Sequence, residues 1–451
     1  MTVPSRVDRL SRYDRRYLWH PFTQMKEYSQ EPPLIIEEGK GAWLKDVHSK
    51  WYLDGVSSIW LNVHGHRKAQ IDSAIRLQLR KIAHSTLLGV SNVPAIELAA
   101  KLIRIAPRGL DHVFYSDSGS EAMEIALKIA FQYWRHRGKN LKRVFLSLDN
   151  AYHGDTIGAM SLGHMGLFHA PFQPLLFKAL SIPAPYPYRC DSCDGSRCAE
   201  HCAEALERIL RKRSGQVAAV ITEPLVQAAA GMIVAPDGFL SRIRDLTRRY
   251  DVLLIADEVA TGFGRTGRMF ACQHEGVAPD IMALAKGLTG GYLPLAATLV
   301  TDEVYRAFLG RYEERKTFFH GHSYTGNPLG CAAAIASLEI FEKEKTLLGV
   351  RNLSRYLSRR LKSVRKLRHV GDVRQRGLMV GIELVRDKVT REPYRWEEKI
   401  GIKVARRARE LGVLLRPLGP VMVLMPPLRI SRKDMDLLVD VLRRSIQDVT
   451  L

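Results

Sequence analysis

The sequence predicts an α/β protein: a large domain on a mostly parallel sheet, joined to a smaller α+β domain assembled from both chain ends. Three observations carry this expectation. Between about residues 90 and 320, short apolar runs alternate with helical patterns. Those runs are rich in Val, Ile and Leu and carry few polar residues, as strands covered on both faces do. The chain has 451 residues, more than one small core organises, so a second, smaller domain is expected.

The elements follow in order. Residues 1 to about 60 read as an irregular arm with short strands. Ile71 to about Ile82 reads as a helix, with Ile71, Ala74, Ile75 and Leu79 on one face. The strand runs are HVFYS (112–116), RVFLSL (143–148), VAAVITE (217–223), DVLLIADE (251–258), DIMALAK (280–286) and LAATLV (295–300). A helix, CAAAIASLEIFEKEK, comes after about residue 330, then the strand GLMVGIELV (377–385) and a hairpin, VLLRPLGPVMVLMP (413–426). The expected division is 1–70 as arm and part of the small domain, 71–330 as the large domain, and 331–451 as the rest of the small one. In such sheets ligands sit beyond the carboxyl ends of the strands, so the polar residues after each run are the ones to weigh.

Composition narrows the class. Hydrophobic residues at 46% and charged residues at 25% fit a soluble globular protein. No run approaches the roughly 18 apolar residues of a membrane span. The N-terminal stretch has no apolar core of a secretory signal, so the expected compartment is the cytoplasm. The net charge of +21 raises the question of nucleic acid. The basic residues are spread out, however, and the clusters at Arg211-Lys212-Arg213 and Arg242 to Arg249 fall in amphipathic helical patterns. They read as solvated faces. No nucleic-acid-binding signature accompanies them. A long-range attraction for anionic substrates is the modest use left to this charge.

Several strand ends carry chemistry. In IADEVATGFGRTG (255–267) an apolar run ends on Asp257 and Glu258. A buried carboxylate there needs a partner: an ion pair, a turn, or a buried cation such as a pyridinium nitrogen. The next run ends on Lys286, followed by Gly287. Alone it would read as a snorkelling lysine. In an apolar cleft it would stay partly neutral and attack an aldehyde. The two together suit a cofactor gripped at ring nitrogen and aldehyde carbon.

Further segments are more ambiguous. In YSDSGSEAMEIALK (115–128) the turn through Gly119 and Ser120 offers N–H groups to a phosphate at a helix start. Ser118 and Glu121 also spell a capping box, the plainer reading of that segment alone. Tyr152 and His153 in NAYHGDTIGAMS follow another run, where an aromatic ring either stacks on a flat ligand or packs a hinge. In FFHGHSYTGNPLG (318–330), Ser323 and Thr325 either bind phosphate or cap the next helix. Arg416 in LLRPLGP needs a partner, either a substrate carboxylate or a structural acid.

At this point the segments resemble a known family, the class III aminotransferases of fold type I. IADEVATGFGRTG with the Lys286 segment carries the family resemblance. WHPFTQM (19–25), DGVSSIWLNVHGH (54–66) and HGHSYTGNPLG are similar to its biotin-pathway branch. The resemblance runs from about residue 15 to the C-terminus. It implies pyridoxal 5′-phosphate (PLP) as cofactor and 8-amino-7-oxononanoate as amino acceptor, with L-lysine or S-adenosylmethionine as donor. It implies a homodimer with shared sites, and neither nucleic acid nor membrane as partner. Lys286 would join the cofactor's aldehyde and move the proton, Asp257 would pair with the ring nitrogen, and Tyr152 would pack near ring and substrate. Gly119 and Ser120 would hold the phosphate. Gly321, His322 and Ser323 would reach a neighbouring subunit's phosphate. Trp60 would line the substrate pocket and Arg416 would bind the substrate carboxylate.

Two departures point to the donor. The branch form that uses S-adenosylmethionine usually reads WHPYT and SSWW; here Phe22 and Ile59 stand instead, more as in the form that uses L-lysine. A class III enzyme for ornithine, 4-aminobutyrate or another ω-amine is the nearest rival. A basic nucleic-acid-binding protein without catalysis is the distant one.

One segment stands apart. Cys190, Cys193, Cys198 and Cys202 follow one another at C-x2-C-x4-C-x3-C spacing. Four thiols could hold zinc tetrahedrally, but structural sites usually split their ligand pairs across a longer loop. The reaction needs no metal, so a loop of thiols is expected, without disulfides in a cytoplasmic protein.

Overall fold

The computed structural model describes residues 5–190, 195 and 197–450. Its centre is a seven-stranded sheet. The strands are β1 (Leu110–Ser116), β2 (Val144–Leu148), β3 (Leu180–Ile182), β4 (Val217–Thr222), β5 (Leu253–Asp257), β6 (Ile281–Leu284) and β7 (Ala296–Thr301). The order across the sheet is β1-β7-β6-β5-β4-β2-β3. All neighbours are parallel except at β7, which runs antiparallel to both β6 and β1.

The unbroken apolar runs are explained by cover on both faces. In β5, Leu253 and Ile255 enter one core, and Leu254 and Ala256 the other. β6 divides likewise, with Ile281 and Ala283 on one face and Met282 and Leu284 on the opposite one. Helix Gly119–His136 covers the first face, and helices Cys198–Arg213 and Phe239–Arg249 lie on the second. Helix Pro328–Lys343 packs against helices Ala69–Leu79 and Val93–Ile105.

Two smaller sheets join the chain ends. Ile36–Lys40, Trp43–Asp46 and Trp51–Asp54 form an antiparallel meander, which Val413–Leu414 completes in parallel to Trp51–Asp54. Val370–Arg376, Met379–Leu384, Val421–Leu424 and Arg416–Leu418 make the other, in that order. The expected hairpin over 413–426 therefore splits: its first two residues serve the N-terminal sheet, and only the rest turns back on itself. The arm also differs from the irregular segment expected. Arg6–Tyr17 is a helix closed by a Ser5/Asp8 capping box, with none of its residues buried. Val7, Leu10, Tyr13 and Tyr17 share one face of it at helical spacing, a period that the many arginines between them obscured.

Candidate functional site

The carboxyl ends of β4, β5 and β6 meet at one buried group of charges. Asp257 closes β5 and lies beside Ala283 of β6 in parallel register. Lys286 stands two residues past the end of β6. Its φ of 42° turns the chain into a short 3-10 turn, Lys286–Thr289. The Lys286 ammonium lies 5.7 Å from the ring centre of Trp60. Burial lowers its pKa, and the charges of Asp257 and Glu223 pull it part of the way back.

Asp257 is buried and oriented from two sides. Its Oδ1 accepts from the Val259 N–H at 3.0 Å, and its Oδ2 lies 2.7 Å from His153 Nδ1. An ionised carboxylate only accepts, so Nδ1 of His153 carries the proton. The neighbouring Glu258 serves the scaffold. It is fully buried and accepts from Thr261 Oγ1 at 2.6 Å and from the N–H groups of Ala271 and Cys272 at 3.0 and 2.7 Å.

Glu223, just past β4, joins this group. Its Oε2 accepts from the Ala228 N–H at 2.9 Å, while Oε1 is buried without a partner. Burial pushes its pKa up to about 7; His153 opposes the shift and Asp257 adds to it. The roles of His153 and Glu223 escaped sequence reasoning. A carboxylate just after the run VAAVIT, apolar up to its last residue, was the available signal for Glu223. Nothing in the spacing ties His153 to a residue 104 positions away.

The turn from β1 into helix Gly119–His136 answers the question its sequence left open. The capping box forms: Ser118 Oγ accepts from the Glu121 N–H at 3.3 Å, and the Glu121 carboxylate accepts from the N–H groups of Asp117 and Ser118 at 2.8 and 3.0 Å. That carboxylate is turned back on the loop. The next two N–H groups, of Gly119 and Ser120, have no acceptor in the described chain. Cap and anion cradle thus coexist. Glycine is required here by close approach: a Cβ on Gly119 would stand 2.7 Å from Val259 Cγ1. A Cβ on Gly154 (φ 126°) would meet Ser120 Oγ at 2.0 Å. The loops after β1, β2 and β5 are therefore pressed together.

The other expected residues surround this centre. Tyr152 donates from its hydroxyl to Asp155 at 2.8 Å, and its ring stands edge-on to Phe168 at 6.4 Å. Phe168 in turn meets Phe22 edge-on at 5.4 Å, so the arm's WHPF segment reaches the site through a chain of rings. Trp60 is buried at the end of the turn Ser57–Trp60, whose four residues all have φ between 48° and 75°. Left-handed backbone costs an L-residue about 1–2 kcal/mol each, and a β-branched residue such as Ile59 resists it most. His322 lies beside its own chain's Asp117 and Glu121, at 3.6 and 4.0 Å, with Gly321 and Ser323 exposed next to it. Arg416 is exposed on the strand after Leu415, which packs against Gly55, and forms no ion pair among the described residues. Cys193 lies outside the described residues; Cys198 and Cys202 are buried in the helix Cys198–Arg213, and Cys190 is half-buried before it.

The residues present fit PLP. A buried lysine whose pKa is lowered faces an aromatic wall, a buried carboxylate is held ready for a cationic ring nitrogen, and two unclaimed N–H groups at a helix start await an anion. Lys286, Asp257, Gly119 and Ser120 would hold it.

A family model described as "Aminotransferase class-III" matches residues 24–446. A protein of Geobacter sulfurreducens named adenosylmethionine-8-amino-7-oxononanoate aminotransferase is 55% identical over 440 residues, 97% of either chain. A protein of that name from Methanocaldococcus jannaschii is 48% identical over 454 residues, 98% of either chain. The crystal structure of the Methanocaldococcus jannaschii protein superposes with a TM-score of 0.94 over 98% of this chain and 99% of its own. An omega transaminase of Pseudomonas jessenii in complex with PMP superposes equally well, TM-score 0.94, at 33% identity over 98% of both chains.

Proposed function

Since the chain belongs to the class III aminotransferases, which depend on PLP, we propose that it aminates 8-amino-7-oxononanoate to 7,8-diaminononanoate in biotin synthesis. The observation that carries the chemistry is the convergence of Lys286 and Asp257 at adjacent strand ends. The acceptor rests on full-length relatives at up to 55% identity that bear its name, against 33% for the omega transaminase.

When bound, PLP supplies an aldehyde that takes the amino group and a cationic ring that takes up electrons from the broken C–H bond. The residues do the rest. Lys286, its pKa lowered by burial, would serve as the base that removes the proton and returns it. Asp257, fixed by His153 and Val259, would keep the ring nitrogen protonated. Gly119 and Ser120 would hold the phosphate through their N–H groups. Trp60 and Tyr152 wall the substrate, and the unpaired guanidinium of Arg416 would receive its carboxylate.

The same reading makes the enzyme a cytoplasmic homodimer and divides the chain near residues 70 and 330. Leu88 is 77% exposed and Phe319 79%, beside a zone where Asn92 Nδ2 donates to Gly326 O at 3.1 Å and the His84 ring meets Tyr324 at 5.2 Å. Such an apolar face suits a second copy. Gly321, His322 and Ser323 would then meet the neighbouring subunit's phosphate.

For the donor, the relatives' names favour S-adenosylmethionine. A second reading, L-lysine, is favoured by Phe22 and Ile59, which leave this mouth without the hydroxyl and the second indole of the WHPYT/SSWW form. The decisive experiment gives the purified enzyme 8-amino-7-oxononanoate with each donor separately and detects 7,8-diaminononanoate by mass. Product with S-adenosylmethionine alone ends the lysine reading. Product with neither donor, from a preparation in which borohydride treatment of a separate aliquot shows the cofactor joined to Lys286, ends the biotin-pathway reading and leaves another ω-amine as substrate.

A further inference from the structure

Four consecutive left-handed residues, none of them glycine, do not hold themselves. Ser57, Ser58, Ile59 and Trp60 have φ of 50°, 48°, 67° and 75°. Two buried groups outside the turn grip it at opposite ends. At its start, Asp54 is 1% exposed. Its Oδ1 accepts from the Ser58 N–H at 3.0 Å, and its Oδ2 accepts from Ser58 Oγ at 2.8 Å and lies 3.0 Å from His66 Nε2. At its end, Arg265, also 1% exposed, donates from Nη2 to the Trp60 carbonyl at 3.1 Å and from Nη1 to the Pro426 carbonyl at 2.6 Å. Between them Ser57 Oγ donates to the Met425 carbonyl at 2.7 Å.

Neither clamp is positioned to touch a reacting atom. Arg265 spends its guanidinium on main-chain carbonyls, deep in the scaffold. Yet it sits eight residues after Asp257, on the same loop beyond β5. That loop begins at the acid beside His153 and ends at the fork that fixes Trp60. The indole held in this way is the wall 5.7 Å from the Lys286 ammonium. Strained backbone persists only where its surroundings over-determine it, and it collects where a side chain must be aimed.

We infer that Asp54 and Arg265 are positioning residues for the aminotransferase reaction: together they lock the Ser57–Trp60 turn in its left-handed form and so set the wall against which the amino donor binds. With a clamp gone, the turn relaxes toward negative φ and the indole leaves its place. Donor binding weakens, while Lys286 and Asp257, on other elements, keep their chemistry. The inference rests on the transaminase reading but not on which donor is used.

The test is Asp54→Asn, which keeps the size of the side chain and removes its charge. Cofactor-loaded protein is mixed with the donor amine the wild type accepts, without keto acid, and the change in cofactor absorbance is followed. The saturation constant for the amine should rise at least fivefold, with the limiting rate within a factor of about two of wild type, as for loss of binding common to ground and transition states. Adding Ser58→Gly, which lets the left-handed form arise without a clamp, should recover most of the lost affinity. A crystal structure of Asp54→Asn should show Ser58 or Ile59 at negative φ and Trp60 farther from Lys286. Ser57→Ala, a milder cut of the same lock, should shift the saturation constant in the same direction and keeps the test available if Asp54→Asn does not fold. An unchanged saturation constant in both variants, a loss confined to the limiting rate, or no recovery with Ser58→Gly would overturn the inference. A wild type inert toward every amine would instead overturn the transaminase reading.

Discussion

At the scale of single residues, the site separates charges that look alike in the sequence. Asp257 and Glu258 are neighbours, yet one faces the cleft with His153 behind it and the other is consumed by three donors in the scaffold. Asp257→Asn should lower kcat by about 10²–10³-fold, the scale for removing one preorganised electrostatic partner, while the cofactor stays bound. Steady-state rates beside a spectrophotometric PLP titration check this. Glu223 gives a second prediction. Its folded pKa is raised to about 7 from 4.5, so the folded state binds more protons in that interval. Its contribution is complete below the unfolded pKa and is lost as pH rises through the folded one, a change on the order of 3 kcal/mol. Glu223→Gln in the cofactor-free protein should flatten that part of the Tm-against-pH curve between about pH 4.5 and 7. Lys286 and Asp257 were legible because each follows an apolar run that demands a partner for a charge. His153 was not, because its partner is set by the sheet's strand order and not by anything near it in the chain.

At the scale of elements, the parallel strands announced themselves by unbroken apolar runs, and all six runs named from the sequence are strands of the central sheet. What stayed hidden has local causes. The run 413–426 reads as one hairpin, but its first residues pair with Trp51–Asp54, over 350 positions earlier. The Ser57–Trp60 turn lacks the glycines that normally signal left-handed backbone, since its support comes from Asp54 and Arg265 instead. The glycine that could be read was Gly119. Gly119→Ala would place a methyl 2.7 Å from the stiff Val259 side chain and move the first turn of helix Gly119–His136. The expected cost is about 1–3 kcal/mol of stability, with weaker PLP binding. Thermal melts of the cofactor-free protein and a PLP titration measure the two effects separately.

At the scale of the whole molecule, the high positive charge proves mostly peripheral. Arg211, Lys212 and Arg213 are exposed on one helix, and within the Arg242–Arg249 cluster Arg244 alone is buried, held by both oxygens of Asp280 at 2.7 and 2.8 Å. A solvated face was the reading its periodicity allowed, and the helix Phe239–Arg249 follows it apart from that inward arginine. Composition held no comparable sign of the apolar face around Leu88 and Phe319, because those residues lie in segments without a helical or strand period. If that face meets a second copy, Leu88→Asp should weaken the dimer by about 2 kcal/mol, roughly 30-fold in its dissociation constant. Sedimentation velocity across a concentration series would read this, and activity should fall along with the dimer fraction. No helix among the described residues is long and apolar enough to cross a membrane.

The bend at Lys286 has a consequence for durability. With φ at 42°, the backbone there suits glycine better than any other residue, and the amine it carries is lodged where charge is unwelcome. Lys286→Gly should therefore be more stable than Lys286→Ala by about 1 kcal/mol in denaturant unfolding, both being inert. Evolution has kept a weak joint in the framework for the sake of a chemical handle, and a copy bred only for heat resistance would be expected to lose that handle first.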